Sequence, residues 1–129
     1  MRDVVAIVAG VALALLYVLY ARRRRRALGY GLIAAAAIYV VFAAVAGDVR
    51  AVLVEIVGLG AFAAIAVIGI RRSANILALG WVAHVAWDVL FHPLTHSGYA
   101  PWFYPAACIG FDLVVAAAAF EIASATLER

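Results

Sequence analysis

The sequence predicts an all-α membrane protein, a bundle of five transmembrane helices forming one domain over residues 1–129. Three observations predict it. First, 70% of the residues are hydrophobic and only 13% are charged, which is more apolar surface than a soluble domain of this size can bury. Second, apolar runs near the length needed to cross a bilayer, about 17–25 residues, recur five times. Third, most of the positive charge sits in two short clusters between those runs, the five arginines at 22–26 and the pair Arg71 and Arg72, a pattern that sets topology.

The elements follow in order. The first run covers residues 4–20, and Tyr17 and Tyr20 at its end suit the membrane interface. A cleaved leader carries its positive charge before the apolar core, whereas five arginines follow this one, so it reads as a retained helix. The second run covers 27–46 and ends at a short turn, Gly47-Asp48-Val49-Arg50. The third, 51–70, contains Glu55 and stops at Arg71 and Arg72. Ser73 is a suitable N-cap for a fourth helix over 73–91, which Pro93 stops by biasing His92 away from helical geometry. A loop with His96, Ser97 and Gly98 leads to Pro101, which suits the first turn of a fifth helix over 101–123. Trp102, Phe103 and Tyr104 form an aromatic girdle there. The alanine stretches 34–37 and 116–119 offer small surfaces on which helices approach closely.

Placing both arginine clusters in the cytoplasm puts the N-terminus outside and the C-terminus inside a cell inner (plasma) membrane, with only Arg2 and Arg50 on the unfavoured side. The net charge of +3 is thereby accounted for without a nucleic-acid partner. The single cysteine, Cys108, excludes an intrachain disulfide. The partners implied are the lipid bilayer, a lipid-like substrate, and copies of this chain or a larger membrane complex packing on the thin first two helices.

The chemistry concentrates in Gly80-Trp81-Val82-Ala83-His84-Val85-Ala86-Trp87-Asp88-Val89-Leu90-Phe91-His92. At about 100° per residue, steps of four drift only about 40°, so His84, Asp88 and His92 share one helix face. His84 lies about 12 Å below His92, and Asp112 about 16 Å below Pro101, at similar depth. Glu55 sits near the same end of the third helix, and Cys108, four residues before Asp112, shares its face. The first two helices offer only Tyr30 and Tyr39 in their interiors. Ionisable groups in hydrocarbon cost at least a few kcal/mol each, so they must satisfy one another, hold a metal or line a wet cavity.

Imidazole and carboxylate at this spacing suit a divalent metal such as zinc or iron, with His84, Asp88 and His92 as ligands and Glu55 and Asp112 as catalytic carboxylates. His92 joins His84 on one ion only if the helix loosens before Pro93, and Glu55, Asp112 or Cys108 would complete the shell. Two other readings stand beside this one. In one, the cluster is structural, with Asp88 orienting His84 while Glu55 and Asp112 accept from backbone or tryptophan donors. In the other it is a proton or ion pathway.

The motifs Glu55-x-x-Gly58, Gly80-Trp81-x-x-His84-x-x-Trp87-Asp88-x-x-x-His92 and Pro101-x-x-Tyr104-Pro105-x-x-Cys108-x-x-x-Asp112 resemble the DUF6010 family of small bacterial integral membrane proteins. The resemblance covers roughly residues 51–118; it implies a shared polar cluster and brings no established activity. A second likeness, His84-x-x-x-Asp88 followed by a loop containing Thr, Gly and Pro, is similar to YdjM-type membrane-bound metal-dependent hydrolases, although their upstream histidine-rich elements are absent. The expected function is therefore metal-dependent hydrolysis of a lipid-like substrate, set against a non-catalytic membrane subunit and a relay.

Overall fold

The computed structural model describes residues 1–92 and 98–127, with the side chains of residues 126 and 127 left out. Pro93 as a helix stop, the loop residue His96 and the last two residues of the polar tail lie outside the described residues. The described part is all helix and turn. Helix α1 spans Arg2–Ala21, α2 Arg25–Val45, α3 Val49–Arg72, α4 Ala74–Ala86 and α5 Phe103–Leu127. Helix α4 runs directly into a π-helical turn, Trp87–Phe91, so that five stretches are long and apolar enough to cross a membrane.

The helix ends have local causes. Gly47, at φ +72°, takes the left-handed turn that ends α2, a conformation that costs glycine little. Asp48 then caps α3 by accepting from the Ala51 amide at 2.9 Å. Ser73 caps α4 by accepting from Asn75 N at 3.1 Å, the role its position in the sequence suggests. Pro101 precedes α5 rather than sitting inside it: its carbonyl accepts from Tyr104 N at 2.9 Å in a turn that leads into the helix.

With successive helices crossing in alternate directions, α1 and α5 run parallel and pack closely along their length. The contact is backbone to backbone. A Cβ on Gly10 would lie 2.0 Å from the Ala107 carbonyl oxygen, and one on Gly110 would lie 2.3 Å from that of Ile7. Only glycine allows this approach, which suits association in lipid, where packing rather than water exclusion drives helices together. Helix α2 packs on α3, and α4 lies against both α3 and α5, whereas the consecutive helices α1 and α2 barely touch.

Trp81, fully buried, sits in a core with Leu28, Leu32, Phe62, Leu77 and Val115. Ala36, Ala116 and Ala119 are buried there too, the close-packing role expected of the alanine stretches. Apolar residues also cover the outside: Val5, Val8, Leu13, Leu16 and Leu19 of α1 are each more than half exposed. Such a belt, on five helices long and apolar enough to span, suits a hydrocarbon solvent. Arg23, Arg24, Arg25, Arg26 and Arg71 line one concavity of about 730 Å³ at the end of the bundle opposite the polar cluster.

Candidate functional site

The polar residues singled out in the sequence converge at one end of α3, α4 and α5, and the structure divides them into two adjacent groups. In the first, His84 Nδ1 is 2.7 Å from Asp112 Oδ2 across the α4–α5 interface and 3.6 Å from Asp88 Oδ2 one turn along its own helix. His84 and Asp112 have no exposed surface, and Asp88 has 1%. One ligand atom from each of the three lies within 4.8 Å of the other two.

In the second group, Glu55 accepts from Trp87 Nε1 at 3.3 Å and from the Tyr99 hydroxyl, and His92 Nε2 lies 3.4 Å from Glu55 Oε1. Gly58 makes room for this arrangement. A Cβ there would meet the Trp87 ring at 2.8 Å, which gives the Glu55-x-x-Gly58 spacing a physical reason.

The π-helical turn separates the groups. His92 N–H reaches back five residues to the Trp87 carbonyl, so the turn is wider than in an α-helix and the His84, Asp88, His92 stripe does not continue straight. His92 accordingly meets Glu55 of α3, while Asp112 of α5 takes the place beside His84 and Asp88. The helix thus loosens before Pro93, and the loosening brings His92 to α3 rather than onto the His84 side. Cys108 is buried and lies outside both groups of polar contacts described here.

Tyr39 of α2, which the sequence offers as an interior residue but not as a site residue, joins the groups. Its hydroxyl donates to Asp88 Oδ1 at 2.5 Å, and its ring stacks on His92 with centroids 3.9 Å apart and planes 17° from parallel. The signal was present in the sequence as a helical stripe, Leu28, Leu32, Ala36, Tyr39 and Ala43, all buried, with one polar member. Tyr30 is 62% exposed at the opposite end of α2, beside the arginine concavity. Tyr99 carried no periodicity signal because it lies outside the helices.

Several buried polar atoms of the first group have no hydrogen-bond partner among the described residues: His84 Nε2, Asp88 Oδ2 and Asp112 Oδ1. Buried groups of this kind are normally hydrogen-bonded, and all three fall on the residues of the first group. Beside them a crevice of about 370 Å³ runs between α1, α2 and α5, with Asp112 and Cys108 in its wall.

A family model described as a family of unknown function, DUF6010, matches residues 1–125. The match takes in all five helices, beyond the 51–118 segment that carries the motifs. No curated protein matches the chain, so the likeness to YdjM-type hydrolases gains no support there, and no solved structure matches it.

Proposed function

Because the chain belongs to the DUF6010 family, whose function is unknown, the reading must come from the site itself: we propose that His84, Asp88 and Asp112 hold a divalent cation at the centre of a membrane-embedded hydrolase. The observation that carries this is that His84, Asp88 and Asp112, all enclosed, each bring one possible ligand atom to within 4.8 Å of the others, and each also carries a buried nitrogen or oxygen with no hydrogen-bond partner among the described residues. Two ligands of one zinc-type ion are at most about 4.2 Å apart at metal–ligand distances of about 2.1 Å, so the trio has to draw in from its present spread to hold one. Two carboxylates and a neutral imidazole in hydrocarbon carry an uncompensated double negative charge, which a divalent ion cancels. Three protein ligands with a free position are also the arrangement of catalytic rather than structural zinc.

A cation there supplies Lewis acidity toward a carbonyl or phosphoryl oxygen. The protein does the rest. Tyr39 fixes Asp88 through Oδ1 and leaves Oδ2 for the ion, a supporting contact of the kind that orients metal ligands. Phe62 packs its edge on the His84 ring at 4.9 Å and limits its rotation. Glu55, held by Trp87 and Tyr99 and paired with His92, is the base that takes and returns a proton. Relative to the expectation from sequence, Asp112 becomes a ligand, and His92 moves to the proton-handling pair. The arginine concavity lies at the cytoplasmic face of the plasma membrane, with the N-terminus and the site toward the outside.

The His84–Asp112 and Tyr39–Asp88 bonds support a second reading, in which the cluster only ties α2, α4 and α5 together in a non-catalytic subunit. One experiment separates the two. Protein purified without chelators is analysed for metals alongside His84→Ala, Asp88→Asn and Asp112→Asn. The catalytic reading expects about one equivalent of zinc or iron in the wild type and little in the variants. Wild type without stoichiometric metal, together with an Asp88→Asn variant that merely melts earlier, supports the structural reading and removes the other.

A further inference from the structure

The crevice beside Asp112 differs from an ordinary groove between helices. Its mouth is formed by Leu13, Ala34 and Ile38, which are exposed on the outer, lipid-facing surface of the bundle. Its inner wall includes Asp112, which has no exposed surface and whose Oδ1 has no partner among the described residues. The slot exists because α1 leans on α5 and α2 on α3, so that two helices adjacent in sequence leave a gap. Gly10, Gly31 and Ala107 are among the small residues that line it. It therefore runs from the hydrocarbon level of the bilayer up against Asp112, one of the three residues of the site, whose carboxylate is itself covered.

Volume and polarity select the occupant. At about 370 Å³ the crevice has room for one hydrocarbon chain, and a helix from a second copy laid across its open mouth is the competing occupant. Water is disfavoured, because apolar cavities stay dry. A flexible hydrocarbon chain needs no hydrogen bonds and is the surrounding solvent of a membrane protein. We infer that the crevice takes one hydrocarbon chain of a membrane amphiphile, with the polar head of that molecule delivered to Asp112. Resting on the reading of the cluster as the reactive centre, this makes the substrate an acyl or alkyl lipid that enters sideways from the bilayer rather than from water.

The test is photolabelling of the full chain in phosphatidylcholine vesicles with a palmitate that carries a diazirine in mid-chain. Labelled positions are read by peptide mass spectrometry. The expected labels fall on Leu13, Ala34 or Cys108. In Ala34→Trp, whose indole plugs the mouth, labelling drops about tenfold, the effect of excluding about two methylenes from contact. In Val41→Trp, an exposed α2 position outside the crevice, labelling stays at the wild-type level. Label spread evenly over outward residues such as Leu16 and Leu53, or unchanged by Ala34→Trp, overturns the inference. So does a wild-type oligomer that Ala34→Trp converts to monomer in light scattering, since a second copy then covers the slot. Asp88→Asn keeps the two proposals apart: Asp88 does not line the crevice, so this variant is expected to lose metal and keep the label. Wild type with label and no metal sinks the hydrolase reading alone, and metal without crevice label sinks this one alone.

Discussion

Tyr39→Phe removes a single oxygen atom and tests whether the two polar groups are one unit. The hydroxyl donates at 2.5 Å to a carboxylate that is 1% exposed, while Asp88 Oδ2 has no hydrogen-bond donor and only His84 Nδ1 at 3.6 Å. The variant therefore leaves Asp88 without a hydrogen bond among the described residues. Phenylalanine keeps the stack on His92 and the edge contacts with Phe42 and Tyr104, so packing changes little. Stranding a buried acceptor costs about 1–3 kcal/mol, with charged groups toward the upper end. At about 2 kcal/mol, and about 4 °C per kcal/mol for a chain of this size, the melting temperature in detergent should fall by roughly 8 °C. Metal affinity should fall by about 10- to 100-fold, as when a supporting contact to a ligand is lost. Thermal melts and metal titration of the same preparations read both effects. A melting temperature within about 1 °C of wild type, or below about 0.3 kcal/mol, would falsify the claim that Tyr39 carries the Asp88 carboxylate.

Glu55→Gln should retain the metal of wild type, because Glu55 belongs with Trp87, Tyr99 and His92 rather than with the ligand trio; loss of metal on elemental analysis would merge the two groups. Gly58→Ala forces a methyl to within 2.8 Å of the Trp87 ring and should cost about 1–3 kcal/mol of overpacking, seen as an earlier melt and a shifted tryptophan emission. If neither moves, the close approach of α3 to the π-helical turn is not what requires glycine. Replacing the five arginines at 22–26 with glutamine should disturb the orientation of the bundle, while replacing them with lysine should not, because the rule counts charge. Accessibility of a cysteine placed at Asp48, probed from each side of the membrane, reads the result, and equal orientation in all three proteins removes the arginines as the topology signal.

The polar cluster shows where sequence reasoning reaches and where it stops. His84 and Asp88 one turn apart were legible as a pair because helix periodicity fixes neighbours on the same helix without reference to any other. Asp112 was legible as a residue at the right depth, since rise per residue gives depth. Its role beside His84 was not, because that depends on which face of α5 turns toward α4. Glycine contacts with α1 settle that face, and nothing in the spacing of α5 itself declares it. The course of His92 was equally hidden: the π-helical turn widens the helix there, and an α-helical wheel drawn through it points the imidazole the wrong way.

The sequence by itself determined that this chain has five apolar spans, roughly where they lie, and that three of them carry ionisable groups at one level. Those properties follow from a solvent that forces every backbone amide into a helix and penalises every charge, so they can be counted along the chain. Only the tertiary structure decided that α1 pairs with α5 instead of α2, that Tyr39 reaches Asp88, and that a crevice between α1, α2 and α5 has Asp112 in its wall. In lipid, apolar faces are already solvated and give no strong preference for one neighbour over another. The partners are chosen instead by small residues and polar contacts matched across helices far apart in sequence, and such matching exists only once the helices are side by side.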